Sequence, residues 1–213
     1  MRLIASLMLI FAFALPACAQ QTQPKFELGK HYFVIEPAQP TSSGDKIEVV
    51  EVFMYTCPHC YDLEPYLVKW SQTKPADVVY SPVPVAWNAT AEAFARGFYA
   101  AETLGILEQT HEAMFAAVHK ERVPFRSLDD IANWYAEKGG VSKEQFLSAA
   151  NSFAVNSKIG RSNAMVPRWG VTGTPSLIVN GKYRFDVGSA GGHANVAPLI
   201  DFLVAKERAA KGG

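Results

Sequence analysis

Three cysteines in 213 residues are too few for a fold held together by a disulfide framework. One of them, Cys18, follows an apolar leader. The other two, Cys57 and Cys60, would close a loop too short to constrain the unfolded chain much, in a chain large enough to fold on its own core. Net charge is also missing. Lys and Arg number 20 and Asp and Glu number 20, a formal charge of zero, and no basic run makes a phosphate-binding stripe. Nucleic acid is therefore not an expected partner. No apolar stretch is long enough for a membrane span, and no internal repeat is present. Cys57, Cys60 and His59 could begin a zinc centre, but a second ligand pair is lacking. His31, His111, His119 and His193 are scattered and read as solvated or locally satisfied, so no metal and no cofactor is expected.

What the sequence does have is apolar material for one domain, or one domain with an insertion, since 49% of its residues are hydrophobic. Residues 4–15 are apolar behind Arg2, and Ala17-Cys18-Ala19 supplies small residues, the pattern of a cleaved export signal. A cut after Ala19 leaves 213 − 19 = 194 residues and a charge of 19 − 20 = −1. Leu15-Pro16-Ala17-Cys18 also has some likeness to a lipoprotein signal, although proline is unusual there. Cleavage to a soluble exported protein is the expectation, with lipid anchoring through Cys18 as the alternative. On either route Cys57 and Cys60 stand in a compartment where disulfides persist.

The chain is organised around Cys57-Pro58-His59-Cys60. Residues 47–55 (IEVVEVFMY) are β-branched and aromatic and read as a buried strand. Beyond the pair, Tyr61, Leu63, Tyr66, Leu67 and Trp70 recur at helical spacing, with Pro58 at a first helical position that tolerates it. Cys57 then caps a helix, where unpaired N–H groups and partial positive charge favour a thiolate. Cys57 is the expected nucleophile and Cys60, inside the helix, the buried resolving thiol. His59 can stabilise the Cys57 thiolate through its imidazole or its backbone N–H. On the residues alone, Glu51 reads as an outward-facing strand residue.

Around this centre, residues 31–35 read as a short strand and residues 78–85 (VVYSPVPV) as an edge strand, because of Pro82 and Pro84. The order βαβ implies a parallel pairing. Residues 89–168 are helical in texture. Ser127 with Asp130 and Ser142 with Gln145 mark helix starts, and Gly139-Gly140 marks a stop. Residues 176–179 and 182–186 flank Asn180-Gly181, a hairpin signal, before a last helix over 194–208. Trp70, Trp87, Trp134 and Trp169 are expected in the core or at a domain interface, and Phe125 as a loop anchor. The fold class is α/β with an inserted helical block.

Cys57-Pro58-His59-Cys60, together with Gly173-Thr174-Pro175 and Val179-Asn180-Gly181-Lys182-Tyr183 at this separation, resembles the DsbA family of periplasmic thiol oxidases. The resemblance covers most of the mature chain. It implies a thioredoxin-like fold at 20–87 and 168–213, a helical insertion at 88–167 and a signal peptide at 1–19. It further implies that Pro175 is cis beside the disulfide and that the Thr174 backbone offers strand-like hydrogen bonds to a substrate. It also places in Glu51 a buried acid able to exchange a proton with Cys60. A basic partner for that acid is not evident, since residues 79–82 (VYSP) offer no lysine. Pro65 resembles the helix-kinking proline of thioredoxin folds.

A thiolate at Cys57 stabilises the reduced protein and so makes the disulfide the stronger oxidant. Each pKa unit is about 1.4 kcal/mol, or roughly 30 mV for a two-electron couple, so three units shift the couple by about 90 mV. The DsbA family is itself the standard illustration of this extreme. The expected function is donation of the Cys57-Cys60 disulfide to reduced, folding exported proteins by a periplasmic monomer, recharged by a quinone-linked membrane oxidase of DsbB type. The alternatives are a disulfide isomerase or reductant, against which no amino-terminal dimerisation domain is evident, and a non-enzymatic peptide-binding or chaperone module.

Overall fold

The computed structural model describes residues 26–211. The leader, Cys18 and the cleavage expected after Ala19 lie outside the described residues. The chain runs through strands β1 (Phe33–Val34) and β2 (Ile47–Phe53), helix α1 (Pro58–Thr73) and strand β3 (Val78–Pro84). Helices α2 (Ala89–Thr103), α3 (Leu107–His119), α4 (Leu128–Gly139), α5 (Lys143–Ala150) and α6 (Phe153–Arg168) follow. The chain closes with β4 (Ser176–Val179), β5 (Tyr183–Asp186), α7 (Val187–Ala190) and α8 (His193–Lys211).

The sheet has the order β1-β5-β4-β2-β3. As the βαβ order requires, β2 and β3 are parallel, with Glu51 opposite Pro82; the other pairings are antiparallel. β3 is an edge. Its Val85 N–H bonds the Phe53 carbonyl, so the odd positions of the strand turn their N–H groups toward β2. Pro82 and Pro84 hold outward positions, where a missing N–H costs the ladder nothing. β1 is shorter than expected: Pro37 follows closely, and Tyr32 instead bridges to Leu28.

Alternation along β2 separates two layers. Val50 and Val52 join Ile178, Val85, Val166 and Trp169 on one face. Ile47 and Val49 face Leu63, Leu67 and Trp70 of α1 and Leu199, Ile200 and Leu203 of α8. Glu51 shares the parity of Val49 and is wholly buried, so the outward-facing reading of this residue is incorrect. Phe53 and Tyr55 continue past the sheet into a third cluster, with Phe94, Phe98, Met114, Phe115, Tyr135 and Phe146 of the helical block, and this cluster includes Cys57 and Cys60.

Local chemistry sets the ends of these elements. Asn88, Ser127, Ser142 and Ser152 each cap a helix by accepting a backbone N–H, and Ser142 with Gln145 closes a reciprocal box. Asn180 and Gly181 take φ of 52° and 63°, as a two-residue hairpin requires. α1 continues through Pro65. One sequence expectation fails on exposure: Trp87 is 47% exposed, and Tyr66, read only as part of the helical spacing, is 44% exposed. Tyr66 lies off the α1 face that carries Leu63 and Leu67, and stacks on His193 instead.

Candidate active site

β2 delivers the chain to Cys57, which takes an extended conformation at the N-cap of α1, with Pro58 as the first helical residue. The Cys57 carbonyl already accepts from Cys60 N–H at 3.1 Å and Tyr61 N–H at 3.2 Å. The two sulfurs are free thiols. Cys57 is 8% exposed and Cys60 wholly buried.

This asymmetry divides their acidity. Cys57 is lowered from 9.0 to about 5, first by a hydrogen bond from the Cys60 thiol. Burial opposes the shift, while the Thr174 side chain and the backbone N–H groups of Cys60 and His59 add to it. Cys60 is pushed far above the ordinary thiol range by burial, by its bond to Cys57 and by the charge of Glu51. His59 therefore acts on Cys57 through its backbone N–H. Its side chain lies at the rim of a cavity of about 470 Å³ that is shared with Thr174, Pro175, Arg184, Asp186 and His193.

The Thr174–Pro175 peptide is cis and lies against Cys57, whose thiol donates to the Thr174 carbonyl oxygen at 3.3 Å. That contact belongs to the thiol form, since a thiolate has no proton to donate. Sequence residues separated by more than a hundred positions thus meet at one sulfur.

Beneath the pair, Glu51 has no basic partner among the described residues. Tyr80 takes that place, its hydroxyl donating to Oε2 at 2.6 Å, while Oε1 has no hydrogen-bond partner. Burial raises the carboxyl from 4.5 to about 7; the Tyr80 hydrogen bond lowers it and the Cys57 charge raises it. Tyr80, Glu64 and His111 were not singled out by the sequence. Glu64 lies four residues after Cys60, on the same helix face, a spacing that could have identified it. His111, read as solvated or locally satisfied, is in fact buried among Phe53, Tyr55, Phe98 and Phe115. His119 donates its Nε2–H to the Tyr55 carbonyl oxygen at 2.7 Å and stacks on Tyr61. Phe125 anchors its loop against Phe94 and Trp134. Among the described residues no cluster of His, Cys, Asp and Glu could hold a metal ion, and no helix is long and apolar enough to cross a membrane.

An exposed rim, an acidic thiol, a buried partner thiol and a buried acid make a site suited to thiol–disulfide exchange. Residues 48–193 match the DSBA-like thioredoxin domain. The thiol:disulfide interchange protein DsbA of Pseudomonas aeruginosa is 40% identical over 208 residues, covering 98% of this chain and 97% of that protein. DsbA of Azotobacter vinelandii is 35% identical, covering 93% of each. The crystal structure of P. aeruginosa DsbA superposes with a TM-score of 0.84 at 41% identity, covering 88% of this chain and 97% of that one. The oxidoreductase DsbA from Xylella fastidiosa does so with a TM-score of 0.78 at 33% identity, covering 84% and 96%. The mixed sheet interrupted by a helical block is accordingly a thioredoxin fold with a helical insertion, and the chain belongs to the DsbA family of thiol:disulfide oxidoreductases.

Proposed function

We propose that this protein is an oxidant that donates a Cys57-Cys60 disulfide to reduced, incompletely folded exported proteins. The acidity of Cys57 supports this reading above all other observations. With Cys57 at about 5, only the two units between that value and pH 7 populate the thiolate in a neutral compartment. They shift the couple by about 60 mV toward the oxidant, less than a full three-unit effect.

A client thiolate attacks the Cys57 sulfur, forming a mixed disulfide and expelling Cys60, which takes a proton. The client's second thiolate then attacks its own sulfur in that mixed disulfide and releases Cys57 as a thiolate. The client loses two electrons and two protons; the bridge gains both electrons, Cys60 keeps one proton and the other passes to solvent. Cys57 is the nucleophile of the reverse reaction and the leaving group of this one. Pro58 starts the helix that acidifies it, and His59 contributes its backbone N–H. Thr174 and Pro175 present backbone to the client. Glu51 exchanges the Cys60 proton.

The division that suits this chemistry places the thioredoxin-like part at 20–87 and 168–213 and the insertion at 88–167, with a signal peptide at 1–19. The protein works in the periplasm as a monomer, recharged by a quinone-linked membrane oxidase of DsbB type. Equilibration of the purified cysteine pair against a glutathione buffer tests the direction. The pair should stay reduced at glutathione ratios that keep an ordinary structural disulfide closed; a pair that remains oxidised there would make the protein a reductant or a carrier of a structural bridge. Cys57→Ser should abolish oxidation of a reduced test protein.

A further inference from the structure

The cavity beside Cys57 holds a charge that the exchange chemistry does not use. Its walls include His59, Thr174 and Pro175 from the exchange site and Arg184 and Asp186 from β5. Strand register relates the two groups. Asp186 lies opposite Ser176, the residue after Pro175, and Arg184 lies opposite Ile178. Arg184 and Asp186 therefore share one face of β5, and Arg184 stands about 7 Å, two residues of strand, further from the cis-proline than Asp186 does.

Arg184 is placed to receive an anion. It is partly buried and joins no ion pair among the described residues. Its guanidinium carbon lies 5.2 Å from the centroid of the Phe33 ring, its cross-strand partner on β1. On another side the side chain runs along Gly170, a further wall residue of the cavity. Gly170 has a φ of 67°, and a Cβ there would come within 3.2 Å of the Arg184 Nε. An aromatic ring takes the flat face of a guanidinium and leaves its N–H edge, the part that forks onto a carboxylate. Asp186 does not fill that role. Its Oδ1 accepts the Ser189 N–H at 2.7 Å as the cap of α7, and it is not paired with Arg184. Half out of water and without a counter-charge, the guanidinium adds little to the fold by itself. A carboxylate entering the cavity would displace solvent and bond it more strongly.

We infer that Arg184 is a specificity-determining residue: the cavity takes the carboxylate of an aspartate or glutamate two residues away from the client cysteine under attack. This rests on the oxidoreductase reading of the cysteine pair and deepens it. An extended client lying along the Thr174 backbone advances about 3.3 Å per residue, so two residues carry it about 7 Å from the sulfur. The side chains of Arg184 and of the client acid span the rest. Residues two apart point to the same side of an extended chain, so this acid faces the cavity when the client cysteine faces Cys57. An acid next to the cysteine points away.

The test lets single-cysteine peptides compete for Cys57 in the mature Cys60→Ser protein carrying a glutathione mixed disulfide. The peptide thiolate attacks the Cys57 sulfur and glutathione leaves as its thiolate, so no oxidant is consumed. Peptides with Asp or Glu two residues from the cysteine, on one side of it, should outcompete their amide counterparts about tenfold, the size of a partly solvated charge-assisted pair. Added salt should shrink the preference, and an acid next to the cysteine should show none. Arg184→Gln, which keeps the stem on Phe33, should bring the ratio to about one, and Arg184→Lys should retain part of it. The same peptides meet both proteins, so the effect of an acid on its own neighbouring thiol cancels. In the protein with both cysteines, the Arg184 Nε–H resonance should move with acidic but not amide peptides whose cysteine is replaced by serine. Equal partition of acidic and amide peptides, or a preference that survives Arg184→Gln, overturns the inference. Failure to exchange with any peptide would instead strike the functional reading, while the resonance shift still reports on the cavity.

Discussion

At the scale of single residues, the two thiols differ because one ends a strand at a helix start and the other lies inside the helix. The Cys57 thiolate absorbance of the reduced protein should titrate with a midpoint near 5, and His59→Gly, which loosens the backbone carrying that N–H, should raise it, whereas His59→Ala should move it little. Folded Glu51 is raised from 4.5 to about 7, so its stabilising contribution is complete below pH 4.5 and is lost as pH rises through 7. Glu51→Gln does not suffer that loss. Denaturant unfolding should show the variant gaining about 3 kcal/mol relative to wild type between pH 4 and pH 8. The cysteine pair could be read from the sequence because Cys-x-x-Cys between a strand and a helix is a local pattern. Glu51 could be placed only by family likeness, since strand parity does not say which face is covered. Tyr80 and His111 were not legible, as their roles depend on which strand and helix come to lie against Glu51 and Glu64.

Elements were legible where their ends carry their own chemistry. The caps at Ser127 and Ser142 and the Asn180-Gly181 turn are side-chain or φ requirements that a short stretch of sequence displays. Exposure was less so: Tyr66 keeps helical spacing with Leu63 and Leu67 yet lies beyond the covered stripe, and Trp87 stands half-exposed in the loop between β3 and α2. Ser142→Ala should cost about 1 kcal/mol by removing one half of the α5 box. Gly181→Ala should cost more, at least about 2 kcal/mol. A Cβ there would lie 2.1 Å from the Gln39 carbonyl oxygen, which belongs to the segment tied to the hairpin by the Gln39 N–H bond to Gly181. Urea unfolding of both variants would order them.

For the whole molecule, the cluster that holds Cys57 and Cys60 also holds the interior of α2 to α6, so the helical block and the sheet should unfold together. Far- and near-ultraviolet circular dichroism should trace one coincident transition. The reduced form carries an extra term. Cys57 is lowered from 9.0 to about 5 when folded, so its contribution is complete above pH 9 and lost as pH falls through 5. At pH 7 it favours the reduced fold by about 3 kcal/mol, and the gap between reduced and oxidised unfolding midpoints should narrow on acidification toward pH 4.

The sheet has one further consequence for a molecule whose working surroundings are crowded with unfinished chains. Such chains add readily to any bare strand that offers a continuous row of donors and acceptors. Here one margin is only two residues long, and on the other Pro82 and Pro84 leave no N–H at two of the positions that face away from β2. A nascent polypeptide can therefore be oxidised at the cysteines without being offered a template on which to aggregate.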